Sequence, residues 1–185
     1  WEDFEELLNF DGAGLYGFGT QETASGVARC DAASNLHVDA PANADIILWH
    51  GSAMWASARD CVMGVRLVDV ESIGNVNFQI GWADSADYGY VIFDHNESAN
   101  LRLATNIAGV GPVRVDTGLV AAAGTTIYDI TVKIGPTGVV TASINDDVFK
   151  SVSGAVKTGA TDWHPFVRVH ANGAVNKSIK IDTFY

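Results

Sequence analysis

Asp69 and Glu71 stand two residues apart in Asp69-Val70-Glu71, the best carboxylate pair in the chain. On a strand, residues i and i+2 share a face. A retaining glycosidase needs two such carboxyl groups about 5–5.5 Å apart. The same spacing also fits a solvated strand face running into a turn at Ser72 to Asn75. A second group is aromatic. Trp82, Tyr88 and Tyr90 flank the acidic stretch Asp84-Ser85-Ala86-Asp87. Aromatic rings stack on sugar rings, and acids beside them accept hydroxyl hydrogen bonds. On a strand Tyr88 and Tyr90 share one face, and Gly89 leaves the other face open between them. The competing reading places these rings in a core, where large aromatics bury most area. Trp49 and Trp163 carry the same ambiguity. Trp55, in a loop-like stretch between Met54 and Ala56, is the best candidate for an exposed aromatic anchor. A third group is rich in oxygen ligands: Asp84 and Asp87 before the Tyr88 segment, Asp94 and Asn96 after it. Calcium takes roughly 6–8 hard oxygens from flexible loops. Neither loop has EF-hand spacing, and acidic, Asn-containing stretches also serve as plain turns.

Other chemistries have less behind them. His37, His50, His95, His164 and His170 are dispersed, and Cys30 and Cys61 cannot make a four-ligand zinc site. The two cysteines either pair with each other or stay as buried thiols. Nothing places a histidine beside either one, and no nucleophile-elbow motif occurs. Two Asn-x-Ser sequons, at Asn96 and Asn176, matter only in a glycosylating secretory pathway.

The elements that must position these residues follow from composition and period. The chain has 185 residues, 48% hydrophobic and 18% charged, which fits one globular domain. Its net charge is −11, and residues 1–124 carry −12 of it; the first lysine is Lys133. Such a chain repels phosphate backbones and anionic membranes, so nucleic-acid binding and membrane insertion are not expected. No apolar run approaches the roughly 18 residues needed to span a bilayer. The chain opens on Trp1 rather than Met, so a preceding segment is expected. Helical spacing occurs only at Phe4, Leu7 and Leu8, and residues 1–12 are read as a lead-in, either a helical turn or irregular. Trp1, Phe4, Leu7, Leu8 and Phe10 give it an apolar side for packing on its own domain or on a neighbouring subunit.

From residue 13 to 185 the period is two. Ile130, Val132 and Ile134 alternate with Asp129, Thr131 and Lys133. Gly135-Pro136-Thr137-Gly138 then turns the chain, and Val140, Ala142 and Ile144 resume the apolar face. Asn145-Asp146-Asp147, which tolerate positive φ, make the next tight turn before Val148 to Val152. Similar segments recur at 46–49, 61–70, 76–82, 88–93, 101–105, 113–116, 166–170 and 178–184. About a dozen short strands separated by turn residues predict an all-β, two-sheet antiparallel β-sandwich of the jelly-roll kind, in a single domain.

From Val76 onward the order of features resembles the concanavalin A-like, or laminin-G-like, jelly roll. The resemblance rests on Phe78-Gln79-Ile80-Gly81-Trp82, Tyr88-Gly89-Tyr90-Val91-Ile92-Phe93 and Tyr128-Asp129-Ile130-Thr131-Val132. It continues through Ala142-Ser143-Ile144-Asn145-Asp146 and Ile179-Lys180-Ile181-Asp182-Thr183-Phe184. The Ala/Gly/Thr-rich flavour is most similar to head-decoration, fibre and tail domains of tailed phages. That resemblance implies a non-enzymatic virion structural protein, a capsid decoration or fibre domain. Its partners would be the major capsid protein or other virion proteins, with host-surface glycans as a further partner. It further implies a homo-oligomer and a virion-surface location, the alternative being secreted. The alternative function is a carbohydrate-binding module or lectin-like domain. A third is a glycan-cleaving enzyme using Asp69 and Glu71. Leu67-Val68-Asp69-Val70-Glu71 resembles the Glu-x-Asp-x-Glu strand of jelly-roll glucanases, yet Leu67 stands where those enzymes carry the nucleophile. Polysaccharide lyases of similar fold use an arginine-rich strand with a Gln/His and Tyr set. Here Gln79 is followed by Ile80-Gly81 without a histidine, and the arginines are scattered along the chain. No cofactor is expected; calcium is the one ion the acidic loops suit.

Overall fold

In a computed structural model, residues 2–3, 18–22, 26–30, 35–50, 61–83, 87–107, 111–135, 138–153 and 163–184 are described. The strands are β1 (Glu2–Asp3), β2 (Phe18–Glu22), β3 (Val27–Cys30), β4 (Leu36–Ala40) and β5 (Asp45–His50). They continue with β6 (Cys61–Val70), β7 (Val76–Ala83), β8 (Tyr88–Asp94), β9 (Asn100–Ile107) and β10 (Gly111–Val120). The last five are β11 (Tyr128–Ile134), β12 (Val140–Ile144), β13 (Val148–Val152), β14 (His164–Ala171) and β15 (Lys177–Phe184). One sheet runs β13-β12-β11-β6-β15-β4-β3, with β1 pairing β15, and the other runs β10-β9-β8-β7-β14-β5-β2. Every named strand pair is antiparallel. The protein is an all-β sandwich with the jelly-roll architecture its period predicts. Glu2–Asp3 add to β15 rather than starting a helix, while Trp1, Phe4, Leu7, Leu8 and Phe10 lie outside the described residues.

Alternation sorts each strand into a buried and a wet side. On β11, Tyr128, Ile130, Val132 and Ile134 are buried while the residues between them are half-exposed. Val140, Ala142 and Ile144 on β12 do the same. From the seven-stranded sheet, Phe78, Ile80 and Trp82 of β7 with Val91 and Phe93 of β8 close the layer. Each fully buried aliphatic side chain of this core contributes roughly 1.5–3 kcal/mol. The turn after β12 has Asn145 at φ 55° and Asp146 at φ 57°, as its residue types require.

A bulge decides the side of one candidate residue. Along β6, Cys61, Met63, Val65 and Leu67 point inward, so strict alternation would bury Asp69. The pairing with β15 slips by one residue there, from Ile181 opposite Leu67 to Lys180 opposite Asp69. The extra residue, Val68, turns Asp69 outward and gives Val70 to the core at 1% exposure.

Candidate functional site

The outer face of the seven-stranded sheet, turned away from the sandwich core, carries a second cluster. Ala83, Tyr90, Ile92, Ala104 and Phe166 are buried there, with Ile47 and Tyr88 packed against them. Strand register sets the rows. One reads Asp116, Arg102, Ile92, Gln79, Arg168 and Ile47 from β10 to β5. The next reads Arg114, Ala104, Tyr90, Gly81 and Phe166 from β10 to β14. Small residues at Gly81 and Ala104 make room for the ring between them. Tyr90 meets Phe166 edge-on at 5.7 Å across Gly81, and Tyr88 stacks on Tyr90 at 4.5 Å with 24° between the planes. Tyr90 is 6% exposed; Tyr88 keeps part of its surface in water.

Charged groups stand around this aromatic floor. Arg102 Nη2 and Arg114 Nη1 both meet Glu97 Oε2, Arg102 at 2.7 Å. Arg168 Nη2 donates to Asp45 Oδ2 at 2.7 Å, and His170 Nδ1 meets Asp45 Oδ1 at 2.5 Å. Gln79 Nε2 reaches Asn77 Oδ1 at 3.5 Å, and Asn77 Nδ2 donates to Asp94 Oδ2 at 3.0 Å. Asn100 Nδ2 donates to both carboxylate oxygens of Asp116 at 2.9 Å, and the Gly118 N–H donates at 2.6 Å. These two donors hold the Asp116 carboxyl below its ordinary value. Burial, then the Tyr88 hydroxyl, push Tyr90 well above the ordinary tyrosine range, against the opposing pull of Arg114 and Arg168. Tyr90 therefore keeps its proton and can donate it in a hydrogen bond. The Nε atoms of Arg102 and Arg168 are buried and, among the described residues, have no hydrogen-bond partner.

The residues singled out in the sequence divide sharply. Tyr88 and Tyr90 share the outer face, as alternation predicts. The space opposite Gly89 is filled rather than open: a Cβ there would lie 2.8 Å from Val140 Cγ1 of the facing sheet. Trp82 belongs to the core, 1% exposed, with Nε1 donating to Val132 O of the opposite sheet at 3.0 Å. It has odd register parity with the tyrosines and cannot stack on an outside ligand. Trp55 and Asp84 lie outside the described residues. Asp87, 1% exposed, and Asp94 sit at opposite ends of β8, about 20 Å apart for a strand of this length. Asp94 is engaged by Asn77 and by the Asn96 N–H at 3.0 Å, so Asp94 and Asn96 form a turn. Among the described residues no three His, Cys, Asp or Glu side chains are grouped to hold a metal ion.

Asp69 and Glu71 lie away from the aromatic face. Asp69 faces outward from the eight-stranded sheet, 3.6 Å from Lys180 Nζ, on the opposite side of the molecule from the tyrosines. Glu71 lies beyond the end of β6, exposed. Conversely, arginines scattered along the sequence gather on one face. Arg102 and Arg114 are brought together by the β9–β10 pairing, and Arg168 is set opposite Gln79 by β7–β14. The signal that could have found Arg168 and His170 is their alternation with Val167 and Val169.

No protein-family profile matches the chain, and no curated protein matches it in sequence. Solved structures do match in fold. The carbohydrate recognition domain of Emp47p has 14% identity and a TM-score of 0.67, over 96% of this chain and 90% of that one. Alginate lyase A1-II', of polysaccharide lyase family 7, has 11% identity and a TM-score of 0.65, over 88% of this chain and 83% of that one. Bacillus licheniformis β-glucanase has 8% identity and a TM-score of 0.64, over 99% of this chain and 94% of that one. At these identities the likeness is one of fold, the concanavalin A-like jelly roll.

Proposed function

We propose that the protein is a carbohydrate-binding domain whose ligand lies along the outer face of the seven-stranded sheet. The observation that carries this reading is the Tyr88–Tyr90 stack, partly open to water through Tyr88 and bordered by Arg102, Arg114, Arg168 and Gln79. An aromatic floor takes the apolar side of a sugar ring, while planar, fixed donors and acceptors take its hydroxyls. Recognition domains for carbohydrate and enzymes acting on glycans on the same fold add support. The virion structural role expected from the sequence, with its capsid partners and homo-oligomer, has no comparable observation behind it. A glycan-binding domain suits either expected location, a virion surface or the exterior of a cell.

Binding is proposed to be non-catalytic, because Glu97, Asp45, Asp116 and Asp94 are each engaged by arginine or amide groups. One contact favours a second reading. Asp45 holds His170 by Nδ1 and Arg168 by Nη2, so a histidine oriented by a carboxylate stands beside an arginine, the arrangement an eliminative cleavage would use.

The test is a glycan array followed by calorimetry on the glycans retained. Tyr88→Ala is expected to weaken binding at least tenfold, while the loss of its stack on Tyr90 lowers the thermal transition by only a few degrees. Trp82→Phe, on the core side, is expected to lower stability by about 1–3 kcal/mol through the lost hydrogen bond and leave binding intact. Equal binding by Tyr88→Ala and wild type would remove this face from the function. Release of cleaved products by wild type but not by His170→Ala would establish the second reading.

A further inference from the structure

Glu97 stands in the turn between β8 and β9, with its side chain 39% exposed. Its single oxygen Oε2 is shared by two guanidiniums, Arg102 on β9 and Arg114 on β10. The carboxylate is thus held between two cations at the border of the Tyr88–Tyr90 floor, and the pair keeps one positive charge in excess of it. Asp116, directly across from Arg102, is taken up by Asn100 and the Gly118 N–H. Arg102 engages Glu97 through Nη2, and among the described residues its buried Nε–H has no acceptor. A guanidinium offers both groups to a bidentate carboxylate, so the fork is half filled.

We infer that the Arg102–Arg114 pair is a subsite for a carboxylate-bearing sugar, a uronate, and that Glu97 is its internal competitor. This rests on the outer face being the glycan site. Glu97 shows that the two guanidiniums accept a carboxylate in this place. It is carried by an exposed turn, so it can swing out when a ligand carboxylate arrives. The cost of displacing it lowers the apparent affinity for acidic glycans and leaves neutral ones untouched. Glu97 then sets the balance between the two ligand classes, and its sign is unusual: removing an acid that contacts two site residues strengthens binding.

The experiment compares wild type, Glu97→Gln and Glu97→Gln/Arg114→Gln on an array of uronate-bearing oligosaccharides and their carboxyl-reduced, neutral counterparts. Glu97→Gln is expected to bind the uronate-bearing glycans about tenfold more tightly and the neutral ones unchanged. The double variant is expected to lose that gain. The thermal transition of each variant, read by circular dichroism, reports that it is folded. If Glu97→Gln binds uronate-bearing glycans no better than wild type while neutral binding persists, the competitor role is overturned and the glycan face stands. If Tyr88→Ala binds every glycan as wild type does, or no glycan binds at all, the face itself fails and the subsite with it.

Discussion

At Asp116 the charge state is set by two donors, the Asn100 amide and the Gly118 N–H, and both favour the carboxylate. A carboxyl lowered in the folded state adds stability that is present above the unfolded value, near pH 4, and is lost as pH falls through the folded one. Asp116→Asn is therefore expected to lower the melting temperature at pH 7, with the gap to wild type closing toward pH 3. A gap independent of pH, measured by thermal denaturation across that range, would contradict this. Tyr90 is the opposite case, raised by burial, so it remains a neutral donor over the whole physiological range. Part of this site was readable in the sequence, since Tyr88 and Tyr90 stood out by type and spacing. The roles of Trp82 and of the arginines were not. Trp82 and Tyr90 are equally aromatic, and only the side each takes of its sheet separates a core anchor from a ligand platform.

Between neighbouring elements, glycine decides how closely strands and sheets approach. A Cβ at Gly81 would lie 2.5 Å from Gly89 O and 2.6 Å from Tyr90 Cα, backbone atoms of the paired strand β8. A Cβ at Gly89 would instead meet the Val140 side chain of β12 at 2.8 Å. Gly81→Ala has to push two hydrogen-bonded strands apart, while Gly89→Ala meets one side chain, the two γ-methyls of Val140 at 2.8 and 3.0 Å. We expect Gly81→Ala to cost about 3 kcal/mol and Gly89→Ala about 1–2 kcal/mol in urea unfolding. Val140→Ala should restore part of the loss in Gly89→Ala and none in Gly81→Ala. Rescue of both, or of neither, would show that the close approaches are not where the strain falls. The strand bounds were legible: Cys61–Val70, Val140–Ile144 and Val148–Val152 begin and end where their residues predict. The bulge at Val68 was not placed by the sequence, because the adjacent apolar pair Leu67-Val68 breaks the alternation without saying which residue is extra until β15 imposes its register.

For the molecule as a whole, β15 ends the chain yet lies inside its sheet, between β6 and β4, and β14 lies between β7 and β5. Early strands meet their partners only when the last ones arrive, a topology dominated by long-range pairing. Deleting residues 177–185 should abolish cooperative unfolding altogether, leaving neither sheet intact by circular dichroism. A cooperative transition retained within a few degrees of the full chain would refute that dependence. The sequence by itself determined the all-β class, most strand positions, the Asn145-Asp146 turn and the pairing of Tyr88 with Tyr90 on one face. These follow from side-chain alternation and backbone preference, which act over a few residues. Only the tertiary structure decided that Asp69 turns outward to Lys180, that Trp82 closes the core, and that Arg102, Arg114 and Arg168 join the tyrosines. Strand order and register bring together residues tens of positions apart. They are set by how the entire apolar layer fits at once, which no short stretch of the chain encodes.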